Sequence, residues 1–471
     1  MKKLLRFNLV LAGLVASGQL SILQAQTEPP VTATAEATPA RQGRAAVTQH
    51  VGGIQADSTK TSYKFFFGES GAPEDYTKIT SSSVYSDASG YGFEPGATIK
   101  LATTVDAGKT PVNLATAEKQ FYFSTALPEG NYKVTVTLGN PDVATDVSVK
   151  AELRRLMLEN VQTKPGEYVT KTFIVNTRRP EFPGGVVSLK GGPPTYREDV
   201  QEAWDWDKGL TLEFNGDHPS ISNLQIEKVD VPTVYIVGDS TSCDQMVEPY
   251  NSWGQSITRF FKPDIAVANH GESGETFADS LGRHRFDKVW SLMKPGDYLI
   301  VQFGHNDMKA PGTIEGYRAA LQRVVDGTKK TGGTLIVVTP VSRHTFSGNT
   351  ITNSLGGYPY AAWEVAKDNQ VACVELNGMS KKLYEYFGPQ GSEVLFAKTG
   401  ADSYDGTHHS DFGSYELAKC VLVGIQAAKL DLAKHIVDSF SFDPAKPDKP
   451  EDFKVVPTPK PGETMDHPPG S

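Results

Sequence analysis

Four clusters of small and polar residues, far apart in the chain, hold the groups that ester hydrolysis uses. They are Gly238-Asp239-Ser240-Thr241, Asn269-His270-Gly271-Glu272-Ser273-Gly274, Gly304-His305-Asn306-Asp307 and Asp405-Gly406-Thr407-His408. The reaction needs a nucleophile, a base, and donors for the oxyanion that develops on the carbonyl. Ser240 is a hydroxyl at a tight turn, and Gly238 permits a sharp backbone path before it. Position alone would favour Ser240 as a helix N-cap, and the other three clusters reverse that reading. Ten histidines compete for the role of base. His408 follows Asp405 by three residues. In an irregular segment that spacing lets the carboxylate reach Nδ1 while Nε2 faces the serine. His409 should then point elsewhere, into a pocket or to the surface. His270 and His305 could line a pocket, but neither has a carboxylate at the Asp405 spacing. Asp239 and Asp307 are expected to brace their loops rather than react. His270, His305, His408 and Asp405 could in principle bind zinc. No His-Glu-X-X-His or paired-cysteine spacing supports that, so no metal or cofactor is expected.

The elements that must carry these clusters follow from the apolar rhythm. Short apolar runs at Val234–Val237, Ile265–Ala268, Tyr298–Phe303, Leu335–Val338 and Val371–Leu376 read as strands. Helix-like stretches separate them at Ser252–Phe261, Phe277–Met293, Glu315–Lys330 and Tyr358–Lys367, with a last one at about Ser414–Leu430. Strands alternating with helices predict an α/β fold, a parallel sheet covered on both faces. Chemistry in such sheets collects beyond the carboxyl ends of the strands. The first three clusters stand at those ends, and the fourth directly precedes the final helix.

Residues 56–230 have a different rhythm. Asn131–Leu138 alternates cleanly, as do Leu210, Leu212 and Phe214, with Tyr168–Val175 and Ile221–Val229 as further candidates. Short strands separated by turn residues predict an all-β sandwich. Trp204 and Trp206, in an acidic loop, could stack on sugar rings or pack against the neighbouring domain.

The ends differ again. Lys2, Lys3 and Arg6, an apolar stretch, and Leu23-Gln24-Ala25 match a secretory signal peptide over residues 1–25, which predicts a secreted or periplasmic protein. Residues 26–55 read as a flexible linker, and 442–471 as a Pro-rich extended tail. No other segment is long and apolar enough to span a membrane. The hydrophobic share of 38% suits a folded chain and argues against wholesale disorder. Three cysteines exclude a disulfide scaffold. The formal net charge of -9 argues against nucleic acid as a partner, and losing Lys2, Lys3 and Arg6 would make it -12.

Taken in order, the Gly-Asp-Ser, Gly, Gly-X-Asn-Asp and Asp-X-X-His blocks resemble the SGNH (GDSL) hydrolase superfamily. Asn251-Ser252-Trp253-Gly254-Gln255 and Thr339-Pro340-Val341-Ser342-Arg343 add a resemblance to rhamnogalacturonan acetylesterases within it. The resemblance covers about residues 232–430 and implies a three-layer α/β/α catalytic domain over residues 231–435. It implies Ser240, Asp405 and His408 as the catalytic triad. The implied oxyanion donors are the backbone N–H groups of Ser240 and Gly271 and the Asn306 side-chain amide. Substrate contacts are expected at Trp253, His305 and Arg343. Glu272 and Glu275 stand where some relatives carry basic residues. The N-terminal strands resemble, more loosely, the galactose-binding-like sandwiches attached to carbohydrate enzymes. Such a module could bind carbohydrate or serve as structural support.

The implied activity is a serine carboxylic-ester hydrolase that removes acetyl groups from pectin, first of all the rhamnogalacturonan backbone, with an acetylated polysaccharide as partner and xylan acetylesterase as an alternative. A lipase or thioesterase of the same superfamily would need an apolar acyl channel. The loops after Ser240 and around Asn349–Gly357 are mostly polar or small, which disfavours it. The net negative charge would repel a galacturonate polymer, so recognition of acid sugars falls to local basic residues such as Arg283 and Arg343.

Overall fold

A computed structural model describes residues 54, 56–69, 71–105, 111–189, 205–309 and 311–459. The expected signal segment, nearly all of the linker, Trp204 and the last residues of the tail lie outside the described residues.

The N-terminal part is a β-sandwich. One sheet is built around Gly130–Leu138, which pairs antiparallel with Val169–Thr177 on one side and Ser220–Val229 on the other. The other sheet centres on Gly209–Asp217, flanked by Phe121–Ala126 and Thr145–Ala151. The alternation read in the sequence is the packing pattern. Val134, Val136 and Leu138 are buried against Phe121, Leu212 and Phe214 from the facing sheet.

From Thr233 the chain forms a parallel sheet. Its five strands among the described residues run in the order Ala266–Asn269, Thr233–Gly238, Tyr298–Gln302, Thr334–Val338 and Ala372–Val374. Period-2 alternation sends Val234, Ile236, Ile300, Ile336 and Val338 to one core, against the final helix Asp411–Ala427. Tyr235, Val237, Leu299, Val301 and Val337 face the opposite core, against Phe277–Gly282, Arg285–Leu292, Ile314–Thr331 and Tyr358–Asp368. This is the three-layer α/β/α arrangement. The strand order reverses direction at Thr233–Gly238, which opens a crevice at the carboxyl ends of this strand and its neighbours.

Local departures from expectation have physical causes. The stretch Phe277–Met293 is two helices, because His284 adopts a left-handed φ of 65° between them. The helix Leu376–Gly391 was not expected. Gly378, Gly388 and Pro389 obscure its pattern, and Gly388 does break it, with φ 72°. Ser252–Phe261 contains one short α-helical turn, Trp253–Ser256, that continues as a 3₁₀ turn to Phe260.

The segment 442–459 is not extended throughout, since it turns after Asp443 and again in a 3₁₀ turn at Pro450–Asp452. Lys150 Nζ donates to Val456 O (3.0 Å) and to Thr458 Oγ1 (2.8 Å). Thr458 Oγ1 donates to Glu213 Oε2 (2.7 Å), and the Thr458 N–H donates to Glu248 Oε1 (3.2 Å). This segment therefore bonds both the sandwich and the α/β part. No helix among the described residues is long and apolar enough to cross a membrane.

Candidate active site

Three neighbouring strand ends bring the first three clusters together. Thr233–Gly238 ends just before Ser240, Ala266–Asn269 just before Gly271, and Tyr298–Gln302 just before Asn306. Gly238 does not have an unusual φ; space is what demands glycine there. A Cβ would lie 2.1 Å from Ser242 Oγ and 2.5 Å from Gln302 O. The turn after it is knotted by Asp239, whose Oδ1 accepts from the Thr241 N–H (3.0 Å) and hydroxyl (2.8 Å). The Ser240 carbonyl accepts from Gln245 Nε2 at 2.6 Å.

The candidate base, His408, arrives from the other end of the chain. The hairpin Phe396–Gly400 and Ser403–His409 is irregular in register, and it is fixed to the final helix by a close approach. A Cβ on Gly413 would sit 1.8 Å from Leu395 O. Within the second strand, Asp405 Oδ1 accepts from the backbone N–H groups of Thr407 (2.7 Å) and His408 (2.9 Å). Its Oδ2 lies 2.9 Å from His408 Nδ1, and His408 Nε2 lies 2.9 Å from Ser240 Oγ. Burial alone would raise the Asp405 carboxyl. The His408 ring, together with the N–H groups of His408 and Thr407, outweighs it and holds the carboxyl well below the usual carboxylate range. An ionised Asp405 fixes Nδ1–H and leaves the Nε2 lone pair for the serine proton.

The proposed oxyanion donors are unequally prepared. The Ser240 N–H meets no backbone acceptor among the described residues. Asn306 donates one amide hydrogen to Glu275 O (3.1 Å), while Lys309 Nζ donates to its Oδ1 (2.7 Å). The amide is thereby oriented, and its second N–H meets no acceptor among the described residues. The Gly271 N–H donates to Asn269 Oδ1 at 3.1 Å, so it serves an oxyanion only by sharing or exchanging that bond. Gly271 itself tolerates no side chain, since a Cβ would lie 2.9 Å from Gly238 O. Asp307 Oδ1 accepts from the Phe277 N–H (3.0 Å), and burial pushes its carboxyl up to about 7. It braces the start of a helix, as Asp239 braces the nucleophile turn.

The expected substrate contacts need correction. Trp253 is 0% exposed, belongs to the core, and donates from Nε1 to Gln302 Oε1 (2.6 Å). It cannot touch a sugar; it ties two elements under the site. His305 is enclosed, and burial pushes it down to about 4, so it is neutral and its Nδ1 accepts from Arg343 Nε (3.3 Å). Of this pair only Arg343, partly exposed, offers surface to a ligand. His409 is neither a pocket nor a surface residue. It is buried, with Nε2 2.7 Å from the Tyr384 hydroxyl, and burial lowers it to about 3. His270 is likewise buried, edge-on to Trp206 at 5.0 Å. Glu275 is buried and spent on Arg285 Nε (2.9 Å), the Ser280 hydroxyl (2.5 Å) and Arg283 Nε (3.3 Å). That commits Arg283 to the fold as well.

Of the two roles open to Trp206 in the sequence the structure shows packing against the neighbouring domain, but sequence reasoning missed how much else of the sandwich reaches this region. Trp206 is buried at the junction under Arg178, whose guanidinium carbon lies 4.9 Å from the ring centroid. A cavity of about 220 Å³ lies beside Gly271, walled by Gln245, Tyr250 and Glu272 and, from the sandwich, by Leu153 and Trp206. Tyr250 also stands edge-on to His408, with ring centroids 5.8 Å apart. No signal in the spacing of these residues announces their meeting.

Residues 236–411 match the GDSL-like lipase/acylhydrolase family, and residues 63–172 match the beta-agarase/YXIM esterase-like, galactose-binding domain-like family. The rhamnogalacturonan acetylesterase RhgT of Bacillus subtilis is 33% identical over 217 residues, 43% of this chain and 94% of that protein. The uncharacterized esterase YxiM of Bacillus subtilis is 25% identical over 348 residues, 71% of this chain and 84% of that protein. A crystal structure of YxiM from Bacillus subtilis aligns with a TM-score of 0.43 and 21% identity, covering 79% of this chain and 99% of that chain. The chain carries a galactose-binding-like domain before its catalytic domain; it is a carboxylic-ester hydrolase and belongs to the GDSL-like lipase/acylhydrolase family.

Proposed function

We propose that the protein is an exported carbohydrate O-acetylesterase that deacetylates pectin, with the rhamnogalacturonan backbone as its preferred polymer. The observation that carries the reading is the unbroken chain Asp405–His408–Ser240, with both links at 2.9 Å. Support for the substrate comes from the relatives, since RhgT is a rhamnogalacturonan acetylesterase.

The reaction runs in two halves. Ser240 Oγ attacks the acetyl carbonyl carbon as its proton passes to His408 Nε2, and the negative charge moves to the carbonyl oxygen. The Ser240 N–H and the free N–H of Asn306 stabilise that oxygen, joined by Gly271 when it releases Asn269. Collapse breaks the bond to the sugar oxygen, which takes the proton from His408. Acetate is left esterified to Ser240. Water then attacks with His408 again as base, releasing acetate and restoring the serine hydroxyl.

The test is acetate release from a panel of acetylated rhamnogalacturonan, homogalacturonan and xylan. Fastest release from rhamnogalacturonan is expected. Release from xylan alone would reassign the polymer, and aryl octanoate cleaved faster than aryl acetate would remove the acetylesterase reading.

A further inference from the structure

Among the places where the sandwich meets the α/β part is the tip between strands Thr145–Ala151 and Arg155–Thr163. Two residues of this tip have left-handed backbone without being glycine: Glu152 at φ 55° and Arg154 at φ 61°. Such conformations persist where the surroundings over-determine them. Glu152 is held by Thr211 of the sandwich, whose N–H donates to its Oε1 (3.0 Å), while the residues from Leu153 on meet the catalytic part. Leu153 O accepts from Gln255 Nε2 (2.5 Å), and Leu156 O accepts from the Thr258 hydroxyl (2.6 Å).

Arg154 is the innermost group, with a side chain 1% exposed. Its NH1 donates to Tyr250 O (2.9 Å) and Gln245 O (3.4 Å). Its NH2 donates to Glu248 Oε1 (2.8 Å) and Asp411 Oδ1 (3.3 Å). The same guanidinium thus holds the segment 245–250 and the first residue of the final helix. Each of these holds part of the triad. Gln245 bonds the Ser240 carbonyl, and Tyr250 packs on the His408 ring. Asn251, next in the chain, bonds Asp411 Oδ1 (2.5 Å) and, through its N–H, the His409 carbonyl (2.9 Å).

We propose that Arg154 is a positioning residue for the esterase, and that the sandwich serves catalysis by placing this one guanidinium between the segments that carry Ser240 and His408. A planar guanidinium can serve two carbonyls and two carboxylates at once; a lysine ammonium cannot do so from the same place. The inference rests on Ser240 and His408 being nucleophile and base.

The experiment compares Arg154→Met, Arg154→Lys and Ser240→Ala in the full chain on an aryl acetate, with kcat, KM and thermal unfolding measured together. Arg154→Met is expected to lower kcat by roughly 100-fold, the cost of an ångström-scale misplacement, with KM within about threefold. Arg154→Lys should recover part of that loss. Millimolar guanidinium added to folded Arg154→Met should raise kcat, whereas a merely structural residue would show no such rescue. If Arg154→Met does not fold, Arg154→Lys decides: a kcat equal to the parent overturns the proposal. An active Ser240→Ala overturns the site reading itself. An inactive Ser240→Ala beside a fully active Arg154→Met overturns only the role given to Arg154.

Discussion

Lys309 Nζ lies 2.7 Å from Asn306 Oδ1 and turns the Asn306 amide so that its nitrogen faces Glu275 O and the strand mouth. Lys309 is exposed, so the contact is worth little to stability, but it selects one of two amide orientations. Asn306→Ala should cost about 3 kcal/mol of transition-state stabilisation, roughly 100-fold or more in kcat. Lys309→Met should lower kcat by a smaller factor, about two- to tenfold by the loss of one charged hydrogen bond, with unchanged melting temperature. Steady-state kinetics on an aryl acetate measures both, and equal losses would show that Lys309 acts on more than Asn306.

Asp405 makes three bonds that favour its ionised form, two of them to the backbone of its own turn. Asp405→Asn can keep the backbone bonds but presents an N–H to one side of the imidazole, favouring the wrong tautomer. A fall of about 10⁴ in kcat is expected, with the protein folded. A fall below tenfold would mean that His408 is oriented by another group.

Trp253 was expected at the substrate and is instead core. Trp253→Phe removes the donor to Gln302 Oε1 and should destabilise by about 1–3 kcal/mol, read by urea unfolding. The ratio of activity on polymer to activity on aryl acetate should not change. A selective loss on the polymer, with stability intact, would return Trp253 to the binding surface.

Asp307 gives a pH signature. Its carboxyl is raised by burial from an ordinary 3.8 to about 7. Between those values the folded protein holds a proton that the unfolded chain has lost, so this group's contribution to stability declines as pH rises from about 4 to 7. Asp307→Asn keeps an acceptor for the Phe277 N–H and removes the titration. The melting temperature of the variant should therefore fall less between pH 5 and pH 8 than that of the parent. Parallel declines would assign the pH dependence to other buried acids.

Sequence alone showed the five parallel strands and the candidate chemistry at their ends, but not the helix Leu376–Gly391, whose Gly378, Gly388 and Pro389 hide its period. Apolar runs of four to six residues fixed the strands because each faces two cores. Clusters such as Gly304–Asp307 fell beyond those runs because backbone leaving a parallel sheet must turn. The three-residue step from Asp405 to His408 was legible because it is local, closed within one irregular strand. Tertiary structure decided what depends on distant partners. It made Trp253 a core donor, because Gln302 and not solvent meets its indole. His305 and His409 are neutral because packing strips their water. Asn269, two residues before Gly271, holds the N–H proposed for the oxyanion. The reach of Arg154 to Asp411, 257 residues away, could not be read from any spacing. Periodicity encodes which face of an element is buried; it carries no information about which distant residue will be waiting there.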